Sequence, residues 1–245
     1  MPSEMRRPDV AAGTARSALD YYLIFPETRD GAPSAQPDGI VVEQFMLADD
    51  HTATGLATTV WTAADGGWRS SAAFSRAIRS DPRLRARIVP VRRGDAETAY
   101  RRLGEGALPD ETTLRTYFLE HASLPGSPPL LLTPPEVPEG FHEKRVYRIL
   151  FAGHLRKDRL AYLHQVLGMT LAGPQARVLG TGHLRVAGDA FTWELCQIGG
   201  GMASCVDLTA YLGDPPGDTV GALLRELMTI MRYEGLIPVT IERFC

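Results

Sequence analysis

The segment 176–212 constrains the fold more than any other part of the chain, because its side chains alternate between apolar and polar along three successive stretches. Alternation with a period of two is typical of β-strands, and glycine-containing turns separate the stretches, so the segment predicts three antiparallel strands. The apolar face holds Leu184, Val186, Phe191, Trp193, Leu195, Val206, Leu208 and Ala210. The polar face holds His183, Arg185, Thr192, Glu194, Cys196, Cys205, Asp207 and Thr209.

The turn between the first two strands sets which polar residues stand opposite one another. A two-residue hairpin turn at 188–189 suits the glycine there and leaves the apolar face intact. It predicts His183 opposite Glu194, and Arg185 opposite Thr192. An imidazole beside a carboxylate is a common arrangement for general acid–base catalysis.

The second turn contains three consecutive glycines and allows two registers. A two-residue turn at 199–200 places Glu194 opposite Cys205. A four-residue turn places Glu194 opposite Asp207 and the two cysteines opposite each other. Both registers keep the apolar face intact, whereas a slip of one residue would mix the faces.

Two interpretations of the polar face stay open. It is either the solvent-exposed side of a sheet, where charged cross-strand pairs are common, or a partly covered site. Two cysteines on this face favour the site, because cysteine prefers the interior. In that case we expect a lyase, isomerase or cyclase that acts on an anionic or carrier-bound small molecule by acid–base chemistry. Its catalytic residues would be His183, Glu194 and Asp207, and its substrate-binding residues Arg185, Thr192, Cys196, Cys205 and Thr209.

Arginine is concentrated in the segment 69–102, which holds ten arginines against three acidic residues. Guanidinium groups bind carboxylates and phosphates through paired hydrogen bonds. The segment therefore predicts a docking surface for an acidic carrier protein or subunit, formed by Arg76, Arg79, Arg83 and Arg85. The alternative is a solvated helical surface whose charge is neutralised by acids elsewhere in the fold.

Composition limits the remaining possibilities. With 245 residues and 44% apolar side chains, the chain can bury a sizeable core. Its net charge of −3 argues against a nucleic-acid partner. We expect no membrane span and no secretion signal, since there is no long apolar run, and hence a cytoplasmic location. Three cysteines fit a reducing compartment. A homo-oligomer that uses the polar face as its interface is compatible with all of this.

Searches for catalytic and cofactor motifs find nothing. The chain has no phosphate-binding G-x-x-x-x-G-K-[ST], no G-x-G-x-x-G that opens a helix, no G-x-S-x-G, no H-E-x-x-H and no C-x-x-C. Cys196, Cys205 and His183 could meet around zinc, but no ligand spacing demands it. We therefore expect no cofactor and no metal. His154 ends a predicted strand, where functional residues often project.

The pattern as a whole predicts an α+β protein, with a mostly antiparallel sheet and helices packed on one face. We expect a disordered stretch 1–15, an N-terminal lobe 16–122, a proline-rich crossover 123–142 and a C-terminal lobe 143–245. The two lobes could form one domain. For the C-terminal lobe, the sequence pattern predicts the element order β-α-β-β-β-α-β.

Other elements follow from periodicity and capping residues. In the N-terminal lobe they are strands over 21–25, 40–47 and 87–91, helices over 50–66 and 71–79, and helices capped by Asp95 and Asp110. The C-terminal helices are expected to cover the face of Trp193. The polar face would then be covered by the N-terminal lobe, the crossover or a second subunit, and a crevice beneath such a cover is a natural ligand site.

Overall fold

The computed structural model describes residues 18–27, 36–124, 136–171, 177–213 and 218–244. The strands within these ranges are β1 Asp20–Ile24, β2 Gly39–Leu47, β3 Ala53–Thr62, β4 Trp68–Ser70, β5 Ile88–Val91, β6 His121–Ser123, β7 Glu143–Ala152, β8 Thr170–Leu171, β9 Val178–Val186, β10 Asp189–Ile198, β11 Ala203–Leu212 and β12 Ile237–Arg243. The helices are α1 Ala72–Ser80, α2 Pro82–Arg85, α3 Arg93–Arg102, α4 Glu111–Thr116, α5 Lys157–Val166 and α6 Thr219–Tyr233.

Two antiparallel sheets organise the molecule, which confirms the α+β class. The N-terminal sheet has the order β4-β3-β2-β1-β5, and β6 also pairs with β3. The C-terminal sheet has the order β12-β7-β11-β10-β9-β8. The expected order β-α-β-β-β-α-β is confirmed, with the two-residue strand β8 added at one edge. The predicted disordered start and most of the proline-rich crossover lie outside the described residues.

The main core lies on the inner face of the C-terminal sheet, as the alternation predicts. Six of the eight apolar-face residues are buried there, and Leu184 and Val186 pack against them from the rim. Helices α5 and α6 cover this face. Phe45 and Leu56 of the N-terminal sheet belong to the same cluster, so the two lobes share a core.

The predicted helix over 50–66 is wrong, because strand β3 occupies most of it. This strand is buried on both faces, so its residues show no two-residue alternation. The missed signal is the run Thr58–Trp61, rich in the β-branched and aromatic residues that favour strands. The neighbouring prediction is confirmed, since α1 begins after Ser71, whose hydroxyl accepts a hydrogen bond from the backbone N–H of Phe74.

The first hairpin of the C-terminal sheet turns at a different place from the prediction. Its turn residues are Ala187 and Gly188, with φ values of 50° and 88°. Asp189 lies in β10 and is buried, where it accepts hydrogen bonds from the backbone N–H of Gly213 (2.8 Å) and the hydroxyl of Thr219. These buried bonds hold Asp189 inside, so the turn moves one residue toward the N-terminus.

A turn displaced by one residue shifts the pairing of its strands by two. His183 therefore stands opposite Thr192, and Glu194 stands opposite Thr181. The predicted His183–Glu194 pair is wrong. At the second hairpin the four-residue turn is confirmed, with Glu194 opposite Asp207 and the two cysteines opposite each other.

A buried group of charges, here called the interlobe cluster, ties the two lobes together. It consists of Asp20, Glu43, Arg79, Arg225 and Arg232. The carboxylate of Glu43 receives hydrogen bonds from Arg79 at 3.0 and 2.9 Å, and only 1% of its side chain is exposed. Arg79 also donates from Nε to a backbone carbonyl of β12, at 2.8 Å. One arginine thus connects both sheets.

The second half of the interlobe cluster centres on Asp20, which stands opposite Glu43 in the register of β1 with β2. Arg225 of α6 binds the carboxylate of Asp20 at 2.7 and 3.2 Å, and Arg232 lies 3.2 Å away from it. The guanidinium of Arg232 also stacks 5.2 Å from the ring centre of Tyr22. Because each buried carboxylate has a cationic partner, the cluster avoids the large cost of an isolated buried charge.

Candidate functional site

In the C-terminal sheet, the side chains that point away from α5 and α6 form rows across the paired strands. We call this side of the sheet the outer face. The rows of β10, β11 and β7, in order toward the β10–β11 turn, are Glu194–Asp207–Arg148, Cys196–Cys205–Leu150 and Ile198–Ala203–Ala152. Six of the eight predicted site residues lie on β10 and β11, and the other two, His183 and Arg185, lie on the neighbouring strand β9. The outer face therefore collects ionisable groups, thiols and apolar side chains in adjacent rows.

Arg148 is the residue of the outer face that the sequence reasoning missed. Its Nε and Nη2 each donate to one oxygen of Asp207, both at 2.7 Å. The ring of Phe244 lies 5.2 Å from the guanidinium carbon. This paired hydrogen bond raises the pKa of Arg148 further above its usual range. Asp207 is thus bound to a permanent cation, and a role in tuning Glu194 is correspondingly weakened.

The two thiols of the outer face are buried, although the adjacent row contains the exposed Glu194. Cys196 is 4% exposed and Cys205 is fully covered. Burial, followed by the charge of Asp207, raises the pKa of both thiols, that of Cys205 to about 12. Both side chains are therefore neutral thiols at physiological pH. The two cysteines thus mark a covered patch of the outer face, as expected from the preference of cysteine for the interior.

The other predicted site residues lie in the open part of the outer face. His183, Arg185, Thr192 and Glu194 are exposed, and Thr209 is half-buried. None of these five forms an ion pair with a described residue. The structure brings Glu194 next to Asp207, but it does not bring His183 to either carboxylate.

A crevice of about 590 Å³ opens beside the row nearest the turn. Helices α1 and α2 form its N-terminal wall with Arg79, Pro82 and Arg85. The ends of β7, β11 and β12 form the opposite wall, where Leu150 contributes from the row of the thiols. The N-terminal lobe, which was one of the three expected covers of the polar face, therefore covers one end of the outer face. It leaves the row of Glu194 open.

His154 and the glycine turn shape the mouth of the crevice. Nδ1 of His154 lies 3.0 Å from the carbonyl oxygen of Gly201, so this nitrogen carries the hydrogen and donates it. Nε2 is then left as an acceptor, or as a second donor when the ring is protonated. Gly201 has φ 94°, and a Cβ there would lie 3.0 Å from the ring, so glycine is needed at this position.

Arg85 supplies the cationic wall of the crevice. Its Nη1 donates to the last carbonyl groups of α1, those of Ile78 at 3.4 Å and Arg79 at 2.7 Å. Its remaining nitrogens have no hydrogen-bond partner among the described residues. No described lining residue is acidic, whereas Arg79, Arg85 and His154 all line the crevice. The arrangement suits an anionic group.

The arginine-rich segment divides into committed and exposed residues. Arg79 belongs to the interlobe cluster and its side chain is only 10% exposed, which leaves little of it available to a docking surface. Arg85 is half-buried in the crevice wall, while Arg76 and Arg83 are exposed and form no ion pair with a described residue. Most other arginines of the segment bind within the fold, for example Arg93, which donates to the hydroxyl of Tyr21 at 2.7 Å.

Comparisons with protein-family models, with curated proteins and with solved structures found no match to this chain. Among the described residues, no helix combines the length and apolar character needed to cross a membrane.

Proposed function

We propose that this protein binds an anionic small molecule, free or attached to a carrier, in the crevice between α1–α2 and the end of the C-terminal sheet. The observation that supports the proposal is the joint presence of Arg85 and His154 on its walls with no acidic residue among the described lining. Apolar lining from Leu150 and Pro82 gives the non-ionic part of such a molecule a place to pack. The cytoplasm, where thiols remain reduced, is the compartment we assign to it.

The proposal includes acid–base catalysis without a cofactor, of the lyase, isomerase or cyclase kind. His154 takes the role first given to His183. Its Nδ1 is fixed by the carbonyl of Gly201, and this leaves Nε2 to accept or donate a proton. Arg85 would hold the anionic group and orient the substrate. The exposed arginines Arg76 and Arg83 flank this wall and could receive an acidic carrier protein.

Thermal-shift measurements with a panel of anions test the binding step. Inorganic phosphate, phosphopantetheine and short dicarboxylates are the probes, at low ionic strength, with chloride as the background anion. A probe at 100 times its Kd stabilises the fold by about 2.7 kcal/mol. Each kcal/mol corresponds to roughly 2–4 °C in a protein of this size. We expect at least one probe to raise the melting temperature by several degrees.

Substitutions in the crevice then locate the site. Arg85→Gln and His154→Gln should each remove the probe's thermal shift, and Arg85→Lys should keep part of it. Arg76→Gln and Arg83→Gln are matched controls for these small probes, because the two arginines lie outside the crevice lining and are assigned only to the carrier protein, so both variants should retain the shift. An equal loss in all four glutamine variants, or no loss in Arg85→Gln, contradicts binding in the crevice.

The outer face supports a second candidate site for acid–base chemistry. Glu194 stands directly opposite Asp207, and its exposed carboxylate is placed to accept a proton from a molecule that lies on the open part of the sheet. In this version Glu194 is the base, and Arg185 with Thr192 and Thr209 binds the substrate on the open sheet. Turnover lost in Glu194→Gln but kept in His154→Gln would favour it over the crevice.

A further inference from the structure

The geometry points to a binding site for a thiophilic divalent metal ion, of the Zn²⁺ and Cd²⁺ class, formed by Cys196, Cys205 and Asp207 on the outer face. This site is independent of the anion-binding crevice. In the sequence, Cys196 and Cys205 are candidate zinc ligands only together with His183, and no ligand spacing demands such a site. The register of β10 and β11 brings Asp207, and not His183, beside the two thiols.

The separations of the ligand atoms fit a metal centre. One atom from each of the three side chains lies within 4.8 Å of the other two. Tetrahedral zinc, with bonds of about 2.1–2.3 Å, places its ligand atoms roughly 3.6–3.8 Å apart. The gap of about 1 Å is within reach of small side-chain rotations on a rigid sheet. Two sulfur ligands select zinc and its heavier relatives over magnesium or calcium.

The charges of the buried groups are compatible with the site that the geometry indicates, with the exposed carboxylate of Glu194 left outside the sum. Without metal, two neutral thiols, one carboxylate and the guanidinium of Arg148 sum to zero. Binding follows M²⁺ + 2 R–SH → M(SR)₂ + 2 H⁺, with Asp207 as the third ligand. The bound ion, two thiolates, the carboxylate and Arg148 again sum to zero. A divalent ion can therefore replace the two protons without leaving an uncompensated charge in a largely buried place.

Arg148 also orients the carboxylate for this role. It occupies one lone pair on each oxygen of Asp207, at 2.7 Å, and each carboxylate oxygen has another lone pair free to bind metal. Ligating carboxylates in metalloproteins are commonly held by such hydrogen bonds. Three protein ligands leave a fourth position for water or another small ligand. Leu150, which adjoins Cys205, lines the crevice and marks the side from which an ion can enter.

The test is a Cd²⁺ titration of the full chain under a phosphine reductant, followed by the ultraviolet charge-transfer absorption of thiolate–cadmium bonds. The experiment uses Cys245→Ser protein, because the chain has three cysteines and this change leaves only Cys196 and Cys205. We expect one equivalent of Cd²⁺ to bind, with the absorption of two thiolates, and Zn²⁺ to displace it.

Further variants assign the ligands. Asp207→Asn should weaken Cd²⁺ binding by about 10–100-fold while the thiolate absorption remains. Cys196→Ser and Cys205→Ser should each halve the absorption and weaken binding by a larger factor. Glu194→Gln removes a neighbouring carboxylate of the same row that is not a ligand, and it should weaken Cd²⁺ binding by a clearly smaller factor than Asp207→Asn.

Absence of thiolate absorption in folded Cys245→Ser protein overturns the proposal, and this result does not require any core cysteine to be replaced. Equal weakening in Asp207→Asn and Glu194→Gln also overturns it, since a general loss of negative charge would then explain the effect.

Discussion

The interlobe cluster and the outer face both contain carboxylates bound by arginine, but the two regions place these pairs in different surroundings. In the interlobe cluster the side chain of Glu43 is 1% exposed, and hydroxyl groups of Thr58 and Ser75 complete its hydrogen bonding. On the outer face the side chains of Arg148 and Asp207 are 31% and 27% exposed. Water therefore screens the second pair and not the first.

This difference indicates what each region does. In the interlobe cluster, strands from both sheets and two helices converge on buried ion pairs, and of its five members only Arg79 lines the crevice. On the outer face the Arg148–Asp207 pair stands between an exposed carboxylate and two protonated thiols, so its neighbours keep unused binding capacity. Buried pairs that satisfy one another are characteristic of structure, while partly exposed pairs beside unused donors and acceptors are where ligands bind.

The largest expected effect comes from Glu43→Gln. This change leaves Arg79 buried without a counter-charge, and removal of one partner of a buried ion pair costs about 3–5 kcal/mol. We expect the free energy of unfolding to fall by that amount, measured by urea denaturation. A loss below about 1 kcal/mol would mean that water reaches Arg79, and the contrast between the two regions would collapse.

A smaller loss is expected from Asp207→Asn, the corresponding change on the outer face. The Arg148 pair has good bidentate geometry but is partly exposed, so we expect a loss of about 1 kcal/mol. Urea denaturation under the same conditions makes the comparison direct. A cost equal to that of Glu43→Gln would show that the outer face is more enclosed than its exposure indicates.

Alkaline pH tests the covered part of the outer face. Folding raises the pKa of Cys205 to about 12 from an ordinary value of 9.0. Above pH 9 the unfolded chain therefore loses a proton that the folded chain retains, so this contribution to stability is complete below pH 9 and declines as the pH rises toward 12. Cys205→Ala lacks this titration. In metal-free buffer, its free energy of unfolding should decline less than that of wild type over this interval.

Glu194→Gln should give the smallest effect and the opposite sign. Glu194 stands opposite Asp207, and like charges in directly opposed positions destabilise a sheet by a few tenths of a kcal/mol. We expect a slight rise in melting temperature. A clear fall would instead reveal a stabilising partner for Glu194. Because simple repulsion explains a rise, only loss of turnover in this variant would identify a catalytic carboxylate.

Local alternation was enough to predict strands β9, β10 and β11 and the face that they bury. Phe191, Trp193 and Leu195 face the core because a strand with one buried face repeats every two residues. The same rule failed for the central strand β3, where burial on both sides removes the repeat, and the apolar residues of that strand imitate a helical stripe. The register around His183 also failed, because buried bonds from Gly213 and Thr219, distant in sequence, hold Asp189 inside.

The candidate sites depended on contacts that no local pattern contains. Arg79 and Arg85 look alike in the sequence, and both line the crevice. All three nitrogens of Arg79 have partners, including Glu43, whereas only Nη1 of Arg85 has partners among the described residues. Their partners lie on other elements, so only the tertiary arrangement separates them. Arg148 was overlooked because it belongs to β7, a strand with no obvious relation to the polar face of 176–212 until the sheet order is known.

The order in which the interlobe cluster is made has a consequence for synthesis on the ribosome. Asp20 appears near the beginning of the chain, whereas Arg225, its bidentate partner, follows 205 residues later. Until α6 has left the exit tunnel, Asp20 has no cation from that helix and β1 cannot be buried at low cost. Nascent chains stalled before residue 219 should therefore remain sensitive to protease, and full-length released chains should not. Resistance to protease therefore depends on α6, because this helix supplies both arginine partners of the buried Asp20.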